Sequence, residues 1–360
     1  MSLGLVDQPC EGDEFDLKYE AFRTLVLVRQ VYRNLNSNQI YESPVIIVKM
    51  TRSQGWSLHI QRSAAQGEVI DLPEGVIPKQ INFRYLLVIG SVHVIAACSL
   101  LPRFFSWAGV AALVISYFLF GALGISVGFH RLLSHRSFEC PLWLEYFLAL
   151  LGTCCLQESA VWWVAVHRRH HLKSDSQADP HTPAAGFLWS HIGWLFLVNR
   201  DNLRKETYHA YARDMICQPF YRWTDHKVVM SLIVGGHMIA YFAFGFWLGW
   251  LPQGDISSGI RIGSSVLVWG VFLRTALVMH AAWSINSMTH LWGYRSHDLP
   301  DDSRNNWLLG LLVFGEGWHN NHHAHANSAR FGHRWWEFDL GYLAICLLQK
   351  VGFARNVVRP

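Results

Sequence analysis

The sequence predicts an all-α membrane protein with four transmembrane helices and a helical cap on one side of the membrane. Three observations support this fold class. Hydrophobic residues make up 51% of the 360-residue chain, four apolar runs reach membrane length, and the polar segments beside them contain histidine clusters. The net charge of +4 is mild and the basic residues are scattered, which indicates membrane orientation and argues against nucleic-acid binding.

The apolar runs define the predicted membrane segments. A helix needs roughly 20 mostly apolar residues to cross a bilayer, and four runs qualify, at about 83–101, 107–127, 228–250 and 262–283. A further run at 142–166 is also apolar, but Gln157 and Glu158 interrupt it. It therefore predicts a helix lying along the membrane interface and not a fifth span.

The predicted topology places all the histidine clusters on one face of the membrane. Four spans return the chain to its starting side, and the clusters follow the second span, precede the third or follow the fourth. Most basic residues lie on this same face, whereas the two opposite loops offer only Arg103 and Arg261. Because an excess of Lys and Arg marks the cytoplasmic side, the cap is predicted to be cytoplasmic. Arg168 and Arg169 are expected there either to pair with lipid phosphate or to face the cytosol, and the second is favoured.

Residues 1–80 differ from the rest of the chain. They show mixed polarity without a clear period, so we predict a separate N-terminal region of unknown role and a membrane domain over 81–360. The N-terminal region is expected to be partly disordered or to reflect a misassigned start, with Met50 as an alternative first residue. The acidic opening stretch EGDEFD predicts that no signal peptide is present.

The histidine clusters have the spacing of metal ligands. In HRRHH and HNNHH the histidines are three and four residues apart, so they share one helix face. HRLLSH and the Asn286/His290 pair lie where predicted spans end. Nine imidazoles exceed what one ion binds, which predicts a two-metal site in the cap. The predicted ligands are His130, His135, His167, His170, His171, His290, His319, His322 and His323, with Asn286 acting through a water.

An all-imidazole site favours a particular chemistry. Imidazole binds transition metals while neutral, so two divalent ions would keep a strongly electrophilic centre. Such a centre suits O₂ activation against unreactive C–H bonds, and suits a structural zinc ion poorly because four closed ligands suffice for zinc. Iron is the natural redox metal, although imidazole also binds Zn, Cu and Ni.

Three motifs resemble the histidine boxes of membrane fatty acyl desaturases: GFHRLLSHRSF, VHRRHHLKSD and GEGWHNNHHAHANSAR. The resemblance runs from about residue 83 to the C-terminus and is strongest to the stearoyl-CoA and cyanobacterial acyl-lipid delta-9 type. It implies that two Fe²⁺ ions use O₂ and two external electrons to introduce a cis double bond, at delta-9, into a saturated C16–C18 acyl chain. It also implies that Gln157, Trp163 and Trp283 line the substrate tunnel and that Phe118 closes its far end.

Two departures from the family pattern bear on the partners. Residues 164–166 are apolar where acyl-CoA enzymes carry charged residues, which favours an acyl chain esterified to a membrane lipid over acyl-CoA. No cytochrome b5 domain follows the third box, so we expect a separate electron donor, either a ferredoxin or a cytochrome b5-like protein. His325 occupies a position that is aromatic in many members of the family.

Other interpretations remain open at this point. A membrane hydroxylase of lipids or alkanes uses similar histidines, and a non-enzymatic zinc membrane protein would need fewer ligands. Glu316 and Asp179 are expected either to orient ligand histidines or to act as solvated or capping residues. Four further histidines near the boxes are candidates for a supporting role, namely His181, His191, His325 and His333.

Overall fold

A computed structural model of the chain describes residues 45–51, 55–61, 70–203, 205–252 and 254–360. It contains two small antiparallel sheets that the all-α prediction did not include. Strand β1 (Val45–Thr51) pairs with β2 (Gly55–Gln61), and β3 (Val76–Ile81) pairs with β4 (Leu197–Asn199). Residues 1–44, 52–54 and 62–69 of the predicted N-terminal region lie outside the described residues. The role of this region and the alternative start at Met50 remain predictions.

Helices make up most of the described chain and confirm the predicted class. The helices that form the spans, the core and the histidine clusters are α1 (Phe83–Leu100), α2 (Trp107–Ser134), α3 (Leu142–Thr153), α4 (Ala160–Lys173), α5 (Lys227–Trp250), α6 (Ile256–Met288), α7 (Trp307–Leu312), α8 (His319–Ala324) and α9 (Leu340–Lys350). Further short helices lie in the connections, at Pro102–Phe104, Pro183–Ala185, Trp189–Gly193, Trp194–Phe196, Arg200–Leu203, Lys205–Tyr211, Arg213–Ile216 and Pro219–Thr224.

Four of these helices are long and apolar enough to cross a membrane, as predicted: α1, α2, α5 and α6. Their outer surfaces expose large apolar side chains such as Leu87, Leu232 and Ile239, which suits contact with lipid. Helices α2 and α6 have 28 and 33 residues, more than the roughly 20 that a bilayer requires. The excess length extends both helices toward the histidine clusters.

The prediction of one continuous interfacial helix over 142–166 is wrong. The segment forms two helices, α3 and α4, which are too short to span a membrane, so the absence of a fifth span among the described residues is confirmed. Between them, Leu156 (φ 56°) and Glu158 (φ 68°) adopt left-handed backbone conformations on either side of Gln157. Such conformations cost about 1–3 kcal/mol each and cluster at functional sites.

The main core lies where α2 packs against α3 and α4. Its side chains include Phe129 and Leu133 from α2, Leu148 from α3 and Val161 from α4. Helices α2 and α3 approach closely at Gly124, where a Cβ atom would lie 2.7 Å from the backbone nitrogen of Gly152. This contact holds the second half of α2, which carries His130 near its end, against α3.

We expect Gly124→Ala to lower the free energy of unfolding by about 1–2 kcal/mol, because overpacking a close contact outweighs the gain in helix propensity. Thermal unfolding of the purified protein in detergent measures the effect. Gly90→Ala is the matched control, since a Cβ at that glycine of α1 would meet nothing within 4 Å. Equal stability of the two variants would contradict this account of the α2–α3 contact.

Candidate metal centre

The first histidine cluster owes its geometry to the form of α2. From Tyr117 to Ser134 this helix is π-helical, so its hydrogen bonds join residues five apart. The His135 amide accordingly donates to the His130 carbonyl oxygen at 3.2 Å. The wider turn brings the two rings to a centroid distance of 4.9 Å. Their spacing of five residues, which appeared less well aligned in the sequence, therefore matches the local helix.

The nine predicted histidine ligands divide into two groups whose ligand atoms lie within 4.8 Å of one another. Helices α4 and α8 contribute to both. From α4, His167 and His171 join the first group and His170 joins the second, whereas α8 contributes His322 to the first and two histidines to the second. We name the groups centre A (His130, His135, His167, His171 and His322) and centre B (His170, His290, His319 and His323).

The nitrogen separations fit bound metal ions. Two nitrogens that bind one ion at about 2.1 Å and at a right angle lie about 3.0 Å apart. In centre A, the Nε2 atom of His322 lies 3.0 Å from those of His130 and His171. In centre B, the Nε2 atoms of His319 and His290 are 3.1 Å apart. The Nε2 atoms of His170 and His323 are buried without a hydrogen-bond partner, as expected of metal ligands.

Carboxylates orient four of these imidazoles through Nδ1. His170 donates to Asp179 at 2.9 Å and His323 to Asp301 at 3.0 Å. The remaining pairs are His290 with Asp175, at 3.1 Å, and His130 with Glu316. A hydrogen bond at Nδ1 leaves the Nε2 lone pair free for a metal and makes it more basic. Asp179 and Glu316 thus have the orienting role, one of the two roles that the sequence left open.

The protonation of the histidines also suits metal binding. Burial, reinforced by neighbouring imidazoles, lowers the pKa of five ligands well below its usual range: His135, His167, His171, His319 and His322. His290 is different. Burial would lower its pKa, but the carboxylate of Asp175 overcomes that effect and raises it to about 9. A metal ion binding at His290 therefore has to displace a proton.

A cavity of about 370 Å³ leads to both centres. Its lining includes His130 and His167 of centre A, His170 and His319 of centre B, and Asn286. The predicted tunnel residues Gln157, Trp163 and Trp283 also line it, and the indole of Trp163 donates to Gln157 at 3.3 Å. Phe118 is not among the described residues that line this cavity. Its ring packs against the ring of Phe314, which does line the cavity, with the two ring centroids 5.7 Å apart.

The family model for fatty acid desaturases matches residues 105–344. The chain belongs to the fatty acid desaturase family. Among its relatives, the sn-1 stearoyl-lipid 9-desaturase of Anabaena variabilis is 42% identical over 278 residues, which are 77% of this chain and 94% of that protein. The sn-2 palmitoyl-lipid 9-desaturase of Nostoc sp. (strain 36) is 39% identical over 287 residues, covering 79% and 93%. The acyl-CoA C20 Delta5-desaturase of Anemone leveillei is 37% identical over 276 residues, covering 77% and 81%.

The protein is thus a multi-pass membrane oxidoreductase that desaturates acyl chains of lipid or acyl-CoA substrates. This activity excludes the non-enzymatic alternative. The names of the relatives differ in acyl carrier and in the position of the double bond. The two histidine centres are groups that could hold metal ions.

The prediction that Arg168 and Arg169 face the cytosol is wrong, because both side chains make internal ion pairs in the desaturase. The guanidinium of Arg168 donates to the carbonyl oxygens of Leu133 and Ser134 at 2.8 Å and pairs with Asp214 at 2.8 Å. Arg169 is buried and pairs with Asp201 at 3.2 Å. Arg168 thereby ties the end of α2 to α4 and holds the first histidine box against the second.

Sequence reasoning missed Asp175 and Asp301 in the desaturase site. Asp175 is the last residue of the motif VHRRHHLKSD, four residues after His171, and Asp301 lies in the loop before α7, close to two other aspartates. Burial would raise the pKa of Asp301, but the imidazole of His323 and the hydroxyl of Ser303 hold it well below its usual range. Its proximity to His323 depends on the tertiary fold, and nothing in the local sequence distinguishes it from Asp298 or Asp302.

We expect Asp301→Ala to weaken metal binding at centre B and to reduce desaturation by about 10–100-fold, the usual effect of removing a group that orients a ligand. Metal analysis of the purified protein should show close to one ion per chain in place of two. Asp301→Asn, which keeps an acceptor oxygen, should have an intermediate effect, and Glu206→Ala, at an exposed residue, should have none. Full metal content in Asp301→Ala would contradict the role of this carboxylate.

Proposed function

We propose that the protein introduces a cis double bond at delta-9 into a saturated C16–C18 acyl chain esterified to a membrane lipid. The observation that carries the proposal is the 370 Å³ cavity, whose lining is mostly apolar and includes histidines of both centres. An apolar cavity binds an alkyl chain through burial of its methylenes, each worth about 0.8 kcal/mol. The two relatives from cyanobacteria described above carry the names of lipid 9-desaturases, which supports this position and carrier.

Two iron ions would be held by centres A and B. The convergence of their imidazole nitrogens supports this assignment, and Asn286 lines the cavity where it could hold a water on centre B, which has one nitrogen ligand fewer. When bound, the two ions supply the redox chemistry by which O₂ and two electrons remove two hydrogens from the acyl chain.

The side chains between the centres and the apolar cavity would position the acyl chain. The indole of Trp163 stacks on the ring of His167 at 4.9 Å, so it forms part of the wall next to centre A. Gln157 is held by Trp163 and by the carbonyl oxygen of Val278, at 3.4 Å. A rigid wall fixes which methylene pair lies beside the metals, and such positioning determines the site of reaction.

The charge of the cavity supports a lipid carrier over CoA. Among the described residues that line it, Arg84 is the one lysine or arginine, and its guanidinium pairs with Glu158 at 3.0 Å. CoA carries several phosphate groups, whose recognition requires cationic side chains. The lining also includes two residues of α5, a helix whose outer surface would face lipid. Ser231 is exposed there and Gly235 is half-buried. This arrangement suits lateral access from the bilayer.

We assign the histidine-bearing cap to the cytoplasmic side. The loop between α1 and α2 carries one basic residue, Arg103, and the five residues between α5 and α6 carry none. The cap exposes Arg200, Arg222, Lys227 and Arg334, and such an excess is typical of the cytoplasmic side. An acidic electron carrier, a ferredoxin or a cytochrome b5-like protein, would dock on this basic surface.

The proposed reaction is tested by expressing the chain with a reductase system in a host that lacks the double bond. Gas chromatography of the total lipids, separated by class, is expected to show C16:1 and C18:1 delta-9 chains within membrane lipids. His170→Ala should lower the product by more than about 100-fold while leaving membrane insertion intact, because it removes a ligand of centre B. A hydroxy fatty acid without an alkene would contradict desaturation, and product confined to the acyl-CoA pool would contradict the lipid carrier.

The length of the acyl chain in the product provides a second test, since we propose that the cavity ends near Gly121. Gly121 lines the cavity, and a Cβ there would lie 2.7 Å from the ring of Phe314. We expect Gly121→Leu to shift the product from C18 to C16 by at least about tenfold, since each methylene excluded from a pocket is worth about 1–3 kcal/mol. Gly121→Ala should give a smaller shift.

Phe118→Ala distinguishes a cavity that ends at Gly121 from the expectation, based on the family resemblance, that Phe118 closes its far end. Because Phe118 lies outside the described lining, we expect its replacement to leave the C18 to C16 ratio unchanged. Longer products from Phe118→Ala, together with an unchanged ratio in Gly121→Leu, would show that Phe118 sets the chain length after all.

A further inference from the structure

Outside the two centres, three more histidines come together on the cap. Their ligand atoms lie within 4.8 Å of one another, and all three side chains are partly exposed. The ring centroids are 5.3, 5.7 and 5.3 Å apart. We name this group the outer histidine site; it consists of His297, His325 and His333.

The spacing of this site resembles that of centre B. There, the ring centroids of His290 and His319 are 5.0 Å apart and those of His290 and His323 are 5.5 Å apart. The outer rings therefore have the same centroid separations as the rings of centre B, which we propose to hold a metal ion. The Nε2 atom of His333 is buried and has no hydrogen-bond partner, which leaves its lone pair or proton unsatisfied in the absence of a ligand.

The local charge favours a cation. Glu337 is buried beside His333 and accepts hydrogen bonds from the backbone amides of His333, at 2.6 Å, and Arg334, at 2.9 Å. Burial and the two neighbouring imidazoles lower the pKa of His333 to about 4, so its ring is neutral at pH 7. A cluster of three imidazoles next to a fixed carboxylate provides both the ligands and the charge compensation that a divalent ion requires.

Backbone contacts hold the three histidines in place. The amide and carbonyl of His297 bond to the side chain of Asn320, at 2.7 and 3.0 Å. His325 caps the end of α8, and the carboxylate of Glu337 that anchors His333 also accepts from Asn321 at 2.9 Å. Asn320 and Asn321 lie between the metal ligands His319 and His322, so the outer site and the third histidine box share one rigid segment.

We propose that the outer histidine site binds one divalent transition-metal ion of the Zn²⁺ type, with three imidazole ligands and water in the remaining exposed position. A three-imidazole set with an open position is a known coordination pattern for zinc. Three imidazoles and one water complete the four-coordinate set that zinc takes, and Fe²⁺ lies near the weak end of the affinity order for nitrogen ligands, so this site should prefer zinc to iron. The bound ion would link the loop of His297, which leads to Asp301, to α8 and the loop before α9.

The test uses the full-length, iron-loaded protein in detergent, with ZnCl₂ as the probe. After desalting, inductively coupled plasma mass spectrometry should find one added zinc and an unchanged iron content per chain. The thermal unfolding temperature should rise with zinc concentration, because the ion binds the folded state. Co²⁺ in place of zinc should give the visible absorption of a nitrogen-bound ion of low coordination number.

His333→Ala and His325→Ala are the variants, and His209→Ala, at an exposed histidine far from the cluster in sequence, is the matched control. Each of the two variants should weaken zinc binding by more than about 100-fold and should keep its iron. This loss is larger than the roughly 10–100-fold that removal of a group orienting a ligand typically causes. The proposal is overturned if zinc binds equally to wild type and both variants, if His209→Ala loses zinc to the same extent, or if added zinc replaces iron. Loss of iron together with zinc in the variants would also overturn it, since the cluster would then only support the two main centres.

Discussion

The hydrogen bonds between buried carboxylates and imidazoles are the interaction on which the rest of the structure depends. Two cations bound by nine neutral ligands would leave a large uncompensated charge in a buried site. Asp175, Asp179 and Asp301 face centre B, and Glu316 faces centre A. Centre B therefore has fewer imidazoles but more nearby negative charge. The two ions would consequently experience different fields, which gives the protein a means to set their redox properties separately.

The helices are arranged to preserve this geometry. Helices α4 and α8 each contribute ligands to both centres, so a shift of either helix would disturb both ions together. Arg131 is fully buried on α2, and it pairs with Asp339 at 2.9 Å and with Glu316 at 3.4 Å. Asp339 in turn caps α9. This network, with Arg168 on the opposite side, connects α2, α4, α8 and α9 through charged hydrogen bonds that the surrounding core protects from water.

The histidine centres and the apolar cavity are built from the same ends of the long helices. The centres use histidines at the C-terminal end of α2, just after α6, and on α4 and α8. The cavity wall uses the first turns of α1, the first half of α5, the C-terminal parts of α2 and α6, and the turn at Gln157. Relatives of similar identity carry names that differ in double-bond position and acyl carrier. Because the wall continues directly into the two centres, a substitution in the wall would change how an acyl chain lies beside them.

The sequence by itself determined the four spans, the nine histidines and their common membrane face, because apolar length and ligand spacing are local properties that a single segment reveals. It also indicated Gln157, Trp163 and Trp283 as lining residues, through the resemblance. The tertiary structure alone decided how the nine histidines divide between two centres, since neighbours on one helix face, such as His167 and His170, contribute to different centres. It also revealed Asp175, Asp301, the internal role of Arg168 and the place of Phe118 outside the cavity. These features depend on contacts between segments distant in the chain, which no local pattern encodes.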